Sequence, residues 1–204
     1  RDLKPENVMV GDFGEVLVVD WGIAKVIGSD GDAVDEVLET VRGGTKVSDT
    51  RVGIVTGSPS YMSPEQAKDV HSVDPRTDIY SLGATLYALL AGHPPFPTTG
   101  MDILFKVLHE EPVPLRKINA SIPLDLETIV MKCLEKDPAR RYPSAQALAD
   151  DLRHFLDGEP IKARPASLSY RFKKYLRKHK RLAIAGMVGL SIVMALIGWG
   201  IKTQ

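Results

Sequence analysis

The sequence is poor in the residues that commonly cross-link a small domain or bind metal in it. Among 204 residues there is one cysteine, Cys133, so no internal disulfide can form and a reducing compartment is favoured. Cys133 lies on the apolar side of a helical pattern, which predicts a small buried side chain rather than a nucleophile. None of the five histidines stands at metal-ligand spacing to another histidine or to the cysteine, so we predict no structural metal.

No excess of charge of one sign is present either. The 26 Lys and Arg residues equal the 26 Asp and Glu residues, so the overall balance gives no indication of a nucleic-acid partner. The charges are nevertheless segregated along the chain. Acidic residues dominate 30–39, whereas residues 171–181 contain seven Lys or Arg and no acid.

Regular periodicity is missing from residues 23–63, and the middle of this stretch, 28–51, is rich in Gly, Asp, Ser and Thr. Loops longer than about 12–15 residues without secondary structure are usually functional or disordered. We therefore predict one long loop here. For residues 30–39, a solvated acidic insert is favoured over a functional role.

Residues 182–201 follow the basic run directly and contain no charged side chain. At a rise of about 1.5 Å per residue, a helix of this length spans about 30 Å, the hydrocarbon thickness of a bilayer. A signal-peptide core does not fit the position, and a buried core helix would keep a polar face. We predict a single-pass transmembrane helix, with the preceding domain on the cytoplasmic side and residues 202–204 beginning the extracytoplasmic part.

The basic run at 171–181 abuts this apolar stretch. A nucleic-acid patch is the alternative interpretation, but a position next to a membrane span favours anionic lipid headgroups. We therefore expect a lipid partner and no nucleic acid.

Two short apolar runs, residues 8–10 and 16–19, flank a glycine-bearing turn and predict a β-hairpin. The hairpin brings Asn7, at its start, and Asp20, at its end, to the same edge, where they could hold one ion. Asp12 lies in the turn, too close to Asn7 to return across a hairpin. Asp20 is therefore the better ligand.

Helical patterns dominate the rest of the domain. Residues 77–92 are apolar on nearly every face, which predicts a buried helix that Gly92 ends before the prolines of 93–97. Amphipathic patterns predict further helices at 101–109 and 124–134, and Ser144 begins a last one. We place the end of the domain near residue 156 and a linker with the basic juxtamembrane segment at 157–181.

Several motifs fall in a recognisable order. Residues 1–7 read R-D-L-K-P-E-N, Asp20 opens D-W-G, residues 57–65 read G-S-P-S-Y-M-S-P-E, and residues 136–141 read K-D-P-A-R-R. On these residues the chain resembles the eukaryotic-type (Hanks-type) serine/threonine protein kinases, in the order found in bacterial transmembrane kinases. The resemblance covers residues 1–156. It implies a mostly α fold, the C-terminal lobe of the kinase fold with a short β-hairpin at the active site, followed by one transmembrane helix.

The resemblance also implies a role for each motif residue. Asp2 accepts or orients the proton of the substrate hydroxyl, and Lys4 meets the charge on the γ-phosphoryl of ATP. Asn7 and Asp20 hold Mg²⁺, so ATP and Mg²⁺ are the expected cofactors and a protein is the expected substrate. Trp21 stands in the place of the usual Phe.

Further residues are assigned to docking and support. By resemblance, Ser58 contacts the catalytic Asp and Lys, and Glu65 forms a buried ion pair with Arg141 rather than with its neighbour Arg140. Asp78 has two interpretations, an N-cap of the buried helix or an acceptor that orients the catalytic loop around Arg1.

A regulatory role is implied for three residues. Arg1 directly before Asp2 is typical of kinases whose activation loop is phosphorylated, since an arginine there can pair with the phosphate. Thr56 is the first candidate for that modification and Thr50 the second.

The expected function is serine/threonine phosphoryl transfer in membrane-anchored signalling. A pseudokinase that binds or scaffolds partners is the alternative. A small-molecule phosphotransferase is disfavoured because residues 57–65 resemble the segment with which protein kinases dock a protein substrate. Because Arg1 lies within the catalytic loop and no initiator Met is present, we expect the nucleotide-covering lobe to precede it and the fragment alone to be inactive.

Overall fold

The structure, a computed structural model, describes residues 2–20, 59–68, 73–98 and 101–164, together with residues 167, 170 and 174. Two compact units divide the chain, residues 1–148 and residues 149–204. In the described residues a two-stranded antiparallel sheet precedes a set of helices, which agrees with the predicted mostly α class. The elements are β1 (Val8–Val10), β2 (Val16–Val18), α1 (Pro64–Lys68), α2 (Arg76–Ala91), α3 (Met101–His109), α4 (Leu115–Ile118), α5 (Leu124–Cys133) and α6 (Ala145–Leu156), with single 3₁₀ turns at Pro5–Asn7, Pro59–Tyr61 and Pro138–Arg140.

The predicted hairpin is confirmed. Val8 pairs with Val18 and Val10 with Val16, and the residues between the strands form the turn that contains Asp12. Gly14 in this turn has a φ of +85°, a conformation that glycine adopts without the steric cost of a Cβ. The hairpin therefore returns the chain to the level of Asn7 at residue 19, where the backbone N–H of Val19 donates to the carbonyl of Asn7 at 2.9 Å.

Helix α2 is the centre of the first unit. Its side chains Tyr80, Ala84 and Tyr87 are buried, and they form one apolar core with residues from α4, α5 and the segments beside them: Leu115, Ile122, Val130 and Leu134. Helix α2 ends where Gly92 takes a left-handed conformation and donates its N–H to the carbonyl of Ala88 at 2.8 Å. The helices predicted at 77–92, 101–109 and 124–134 are thus confirmed to within one residue at each end.

A smaller apolar cluster joins α1 and α3. Phe96, Ile103 and Val107 are buried in it, and Ala67 of α1 packs against them. The turn at Pro59–Tyr61 contacts both α2 and α3. This cluster therefore supports the segment that immediately precedes α1.

Helices α2 and α5 approach each other closely at Gly83. A Cβ built on Gly83 would lie 2.4 Å from the Cβ of Cys133, a separation that real Cβ atoms do not adopt. Cys133 is fully buried, and burial raises the pKa of its thiol to about 12. This confirms the prediction of a buried, unreactive side chain.

Gly83→Ala is expected to destabilise the protein by about 1–2 kcal/mol. Alanine favours a helix interior by about 1 kcal/mol relative to glycine, but overpacking a core commonly costs about 1–3 kcal/mol, and the Cβ of Cys133 moves only with the backbone of α5. Chemical denaturation of the purified chain measures the change. Leu89→Ala on the exposed side of α2 is the control and should change stability by less than about 0.5 kcal/mol. A Gly83→Ala variant as stable as the parent would contradict the packing argument.

In the second unit, the chain after α6 is attached to that helix through one buried carboxylate. Asp151 is fully buried, and it accepts the backbone N–H groups of Lys162 at 2.6 Å and Ala163 at 2.7 Å. The hydroxyl of Tyr170 accepts the N–H of Ile161 at 3.2 Å. Three successive backbone donors thus have side-chain acceptors, so the first part of the stretch predicted as a linker is hydrogen-bonded in place.

In the part of the chain that the structure describes, no helix combines the length and the apolar character needed to cross a membrane. The predicted span at 182–201 lies outside the described residues, as do the predicted acidic insert at 30–39 and residues 23–58 of the predicted long loop. The last residues of that loop include the 3₁₀ turn Pro59–Tyr61.

Candidate active site

The segment that precedes β1 brings three of the predicted site residues together. The Nζ atom of Lys4 lies 3.0 Å from Oδ2 of Asp2. The side-chain amide of Asn7 donates to the backbone carbonyl of Asp2 at 2.9 Å and lies 3.4 Å from Oδ2 of the same residue. Asp2, Lys4 and Asn7 therefore form one hydrogen-bonded group within six residues of chain.

The local sequence explains this compact shape. Pro5 opens the 3₁₀ turn Pro5–Asn7, where its fixed φ suits a first helical position. The N–H of Asn7 donates to the carbonyl of Lys4 at 3.0 Å, which turns the Asn7 side chain back toward Asp2. Asn7 is 7% exposed, so the turn places a polar amide in a nearly buried position with its donors satisfied by Asp2.

Lys4 carries its charge firmly in this arrangement. The hydrogen bond from its ammonium to the Asp2 carboxylate raises the pKa of Lys4 above its usual value, against a smaller opposing effect of burial. The negative charges of Glu6 and Asp20 act in the same direction as Asp2. Lys4 is therefore a permanent cation next to Asp2 at neutral pH.

Asp20 lies at the end of the second strand of the hairpin. It follows the Val19–Asn7 hydrogen bond directly and has a φ of +60°. The left-handed region costs a residue with a Cβ about 1–2 kcal/mol, and aspartate is one of the few types that visits it. The hairpin thus places the backbones of Asn7 and Asp20 at the same end, and the left-handed conformation occurs at the residue predicted to bind metal.

The donor set at this end suits a hard divalent cation. The Nδ2 atom of Asn7 donates to Asp2, so Asn7 would bind a metal through Oδ1, and Asp20 would supply a carboxylate. Mg²⁺ prefers such oxygen ligands and completes its shell with phosphate oxygens and water. The residues present therefore fit the predicted cofactor.

Glu65 and Arg141 form a two-pronged ion pair across the domain. Nη1 of Arg141 lies 2.7 Å from Oε1 of Glu65, and Nη2 lies 2.8 Å from Oε2. The Thr77 hydroxyl also donates to Oε1 at 2.8 Å. Burial alone would raise the pKa of Glu65, but the hydrogen bonds and charge of Arg141 hold it below its usual value.

Arg141 is fully satisfied in this position. Its side chain has no exposed surface, and its remaining N–H groups donate to the carbonyls of Glu135 at 2.8 Å, Arg76 at 3.0 Å and Lys136 at 3.2 Å. The guanidinium also lies 4.9 Å from the ring centre of Tyr80. Arg140, by contrast, is exposed and pairs with Glu135 at 3.2 Å, so the structure pairs Glu65 with the arginine that the sequence motif indicated.

The N-cap interpretation of Asp78 is wrong. Helix α2 begins at Arg76, with Pro75 as the N-cap residue, so Asp78 lies inside the first turn. Asp74 accepts the N–H of Arg76 at 2.8 Å instead. The helix thus begins one residue before the start at 77 that the apolar pattern predicted, and Asp78 is too far inside it to be its N-cap.

The remaining predicted residues lie outside the described part of the chain. These are Arg1, Trp21, Thr50, Thr56 and Ser58.

Helix α1 begins with a capping interaction that was not predicted from the sequence. The Ser63 hydroxyl accepts the N–H of Gln66 at 3.3 Å, and the Gln66 side chain accepts the N–H of Ser63 at 3.1 Å. This is a capping box, and Pro64 occupies the first helical position. The signal was readable as Ser-x-x-Gln, and its effect is to fix the helix that carries Glu65.

Comparison with known proteins agrees with this geometry. The family profile described as "Protein kinase domain" matches residues 1–152. The chain is 36% identical over 164 residues to the serine/threonine-protein kinase PknB of Mycobacterium tuberculosis, an alignment that covers 80% of this chain and 24% of the relative.

Two other bacterial relatives match over a similar range. A probable serine/threonine-protein kinase of Streptomyces coelicolor is 37% identical over 167 residues, covering 81% of this chain and 22% of the relative. One of Clostridium perfringens is 38% identical over 153 residues, covering 74% and 20%. The chain thus spans only about a quarter of the length of these curated relatives. The resemblance to bacterial serine/threonine kinases inferred from the motifs is confirmed, and the chain belongs to the protein kinase family.

Proposed function

We propose that the protein is a serine/threonine protein kinase that transfers the γ-phosphoryl group of ATP to hydroxyl groups of a protein substrate. The observation that carries this proposal is the group formed by Asp2, Lys4 and Asn7, in which a carboxylate, an ammonium and an amide are held within hydrogen-bonding distance. Phosphoryl transfer needs little covalent chemistry from the protein, and catalysis depends on positioning and charge stabilisation. These three side chains provide both.

Each residue has a distinct task in this proposal. Asp2 accepts a hydrogen bond from the attacking hydroxyl and orients it, and it is the group to which the hydroxyl proton passes. Lys4 is kept protonated by Asp2, so it offers a fixed positive charge to the transferred group. The amide of Asn7 holds the backbone and side chain of Asp2 in place.

ATP would be the phosphoryl donor, and Mg²⁺ would neutralise charge on its phosphates. Oδ1 of Asn7 and the carboxylate of Asp20 would hold the metal at the end of the hairpin. The exposed Asp12 of the hairpin turn has no part in this site.

The docking and regulatory assignments are also proposals. Ser58 would contact Asp2 and Lys4, and Asp78 would orient the catalytic loop around Arg1. Phosphorylation of Thr56, or of Thr50, would supply a phosphate for Arg1 to bind, because a phosphothreonine carries nearly two negative charges at neutral pH.

We further propose that the protein is anchored to a membrane by residues 182–201, with the kinase domain in the cytoplasm. The charge-free sequence and the adjacent basic run at 171–181 support this. The basic run would contact anionic lipid headgroups, and residues 157–181 would connect the domain to the span. Alkaline carbonate extraction of membranes containing the full-length protein tests the anchoring, since release into the soluble fraction would exclude it.

Phosphorylation by the purified full-length protein tests the catalytic proposal. With ATP labelled at the γ-phosphate and Mg²⁺ present, we expect label on serine or threonine of the protein itself or of a generic protein substrate. Omission of Mg²⁺ should abolish the label. Binding of protein partners without any transfer of label would instead support the pseudokinase alternative.

A further inference from the structure

Lys136 lies between the Glu65–Arg141 ion pair and helix α3, and the proposed chemistry does not use it. Its backbone carbonyl accepts Nη2 of Arg141 at 3.2 Å. Its side chain extends the other way, and Nζ donates to the carbonyl of Val107 at 2.7 Å and lies 3.4 Å from that of Lys106. One residue therefore joins the ion pair to the last turn of α3.

The carbonyl of Val107 is a helix-end group. Helix α3 ends at His109, and the carbonyls of a last turn have no partner within the helix. The carbonyl of Lys106 accepts the N–H of Glu110 at 2.9 Å, and the next carbonyl along, that of Val107, is bonded by Lys136. A cation at a helix C-terminus is also favoured by the helix dipole.

The same ammonium covers the apolar cluster beneath α3. Nζ of Lys136 lies 4.5 Å from the ring centre of Phe96, which packs with Ile103 and Val107 and against Ala67 of α1. Burial lowers the pKa of Lys136 to about 8, with Glu111 raising it and Arg141 lowering it further.

Helix α3 in turn supports the segment that approaches the site. The turn Pro59–Tyr61 contacts α3 as well as α2, and α1, which carries Glu65, contacts α3 too. The turn and Glu65 lie in residues 57–65, the stretch that resembles the substrate-docking segment of the protein kinases. Helix α3 therefore packs against that stretch and supports its position.

We propose that Lys136 is a positioning residue for the protein substrate, because it holds the end of α3 against the ion pair and so fixes the segment 59–65. This inference rests on the proposed kinase function. It assigns to Lys136 no contact with ATP, metal or the reacting hydroxyl. Its loss should therefore affect the use of the protein substrate and leave the use of ATP unchanged.

Steady-state kinetics of Lys136→Met in the full-length protein tests the proposal. Methionine keeps the length of the stem and removes the ammonium. We expect the KM for a protein substrate to rise about five- to tenfold, a change within the net contribution of one typical hydrogen bond, and the KM for ATP to stay at the parental value. Lys136→Arg, which can reach the same carbonyls, should restore the parental KM for the protein substrate.

Lys132→Met is the matched control. Nζ of Lys132 lies 4.5 Å from the ring centre of Tyr142, the same cation–aromatic distance as for Lys136 and Phe96, and Lys132 is on α5. Removing this ammonium should leave both KM values unchanged. Equal kinetics of Lys136→Met and Lys132→Met, or a rise in the KM for ATP as large as that for the protein substrate, would overturn the proposal.

Amide hydrogen exchange provides a measurement that does not depend on activity. Lys136→Met should accelerate exchange in the last turn of α3 and in residues 59–62, whereas Lys132→Met should not. If Lys136→Met fails to fold, Lys136→Gln, which keeps a shorter polar group, is measured in the same way. Accelerated exchange in a protein without phosphoryl transfer would remove the kinase function but keep the structural role of Lys136, whereas unchanged exchange would overturn that role.

Discussion

Asp2→Asn in the full-length protein is expected to lower the rate of serine/threonine phosphorylation by about 10²–10⁴-fold, the usual contribution of a positioned acid–base group. The substitution keeps the shape of the side chain but removes the negative charge and the proton acceptor. It also removes the negative charge that pairs with Lys4, whose ammonium lies 3.0 Å from the Asp2 carboxylate. The rate of phosphate incorporation at saturating ATP and Mg²⁺ measures the effect.

Asp12→Asn is the control for this experiment, and it tests a second assignment. Residues 12–14 spell D-F-G literally, but they lie in the hairpin turn, and the neighbouring Phe13 is almost fully exposed. Asp12→Asn should therefore phosphorylate at the parental rate, whereas Asp20→Asn should lose phosphorylation activity. A loss of activity in Asp12→Asn with none in Asp20→Asn would contradict the metal site, and an active Asp2→Asn variant would contradict the mechanism.

Local patterns predicted the elements whose formation depends on nearby residues. The hairpin follows from two apolar runs around a glycine-bearing turn, and it alone brings Asn7 and Asp20 to one end. The buried helix α2 follows from its continuous apolar sequence and ends at Gly92 as expected. These features depend on residues a few positions apart, so the sequence contains the information directly.

Contacts between residues far apart in the sequence could be predicted only in part. The pairing of Glu65 with Arg141 came from the resemblance to kinases and not from any periodicity, since the two residues are 76 positions apart. The bonds from Lys136 to the end of α3 span 29 and 30 positions and have no local signal. Helix α1 was missed because five residues are too few to show a helical period.

Arg141→Met is expected to lower the free energy of unfolding by about 3–5 kcal/mol, the cost of removing one partner of a buried ion pair. The Glu65 carboxylate would remain, 15% exposed, without its counter-charge, and the carbonyls of Arg76, Glu135 and Lys136 would each lose a donor. Such a loss is a large part of the 5–15 kcal/mol that stabilises a typical domain. Urea denaturation of the full chain at pH 7 measures it.

Arg140→Met provides the matched control, because Arg140 is the neighbouring residue and its side chain is 69% exposed in its pair with Glu135. An exposed pair of this kind contributes about 0–1 kcal/mol. If Arg140→Met destabilised the protein as much as Arg141→Met, the assignment of the buried role to Arg141 would be wrong. Glu65→Gln combined with Arg141→Met should be less destabilised than the sum of the two single variants, since the double variant strands no charge.

The pH dependence of the same measurement isolates the contribution of Glu65. Its pKa is lowered in the folded protein, so the unfolded chain binds more protons than the folded chain between the folded pKa and the ordinary value of about 4.3. The stabilisation from this group is fully present above that ordinary value and is lost as the pH falls through the folded pKa. In Arg141→Met, burial without the arginine raises the folded pKa of Glu65 above that ordinary value. The stability difference between parent and variant should therefore shrink as the pH falls from this raised pKa to the lowered pKa of the parent. A difference that stays constant from pH 7 to pH 3 would show that the ion pair does not hold Glu65 ionised.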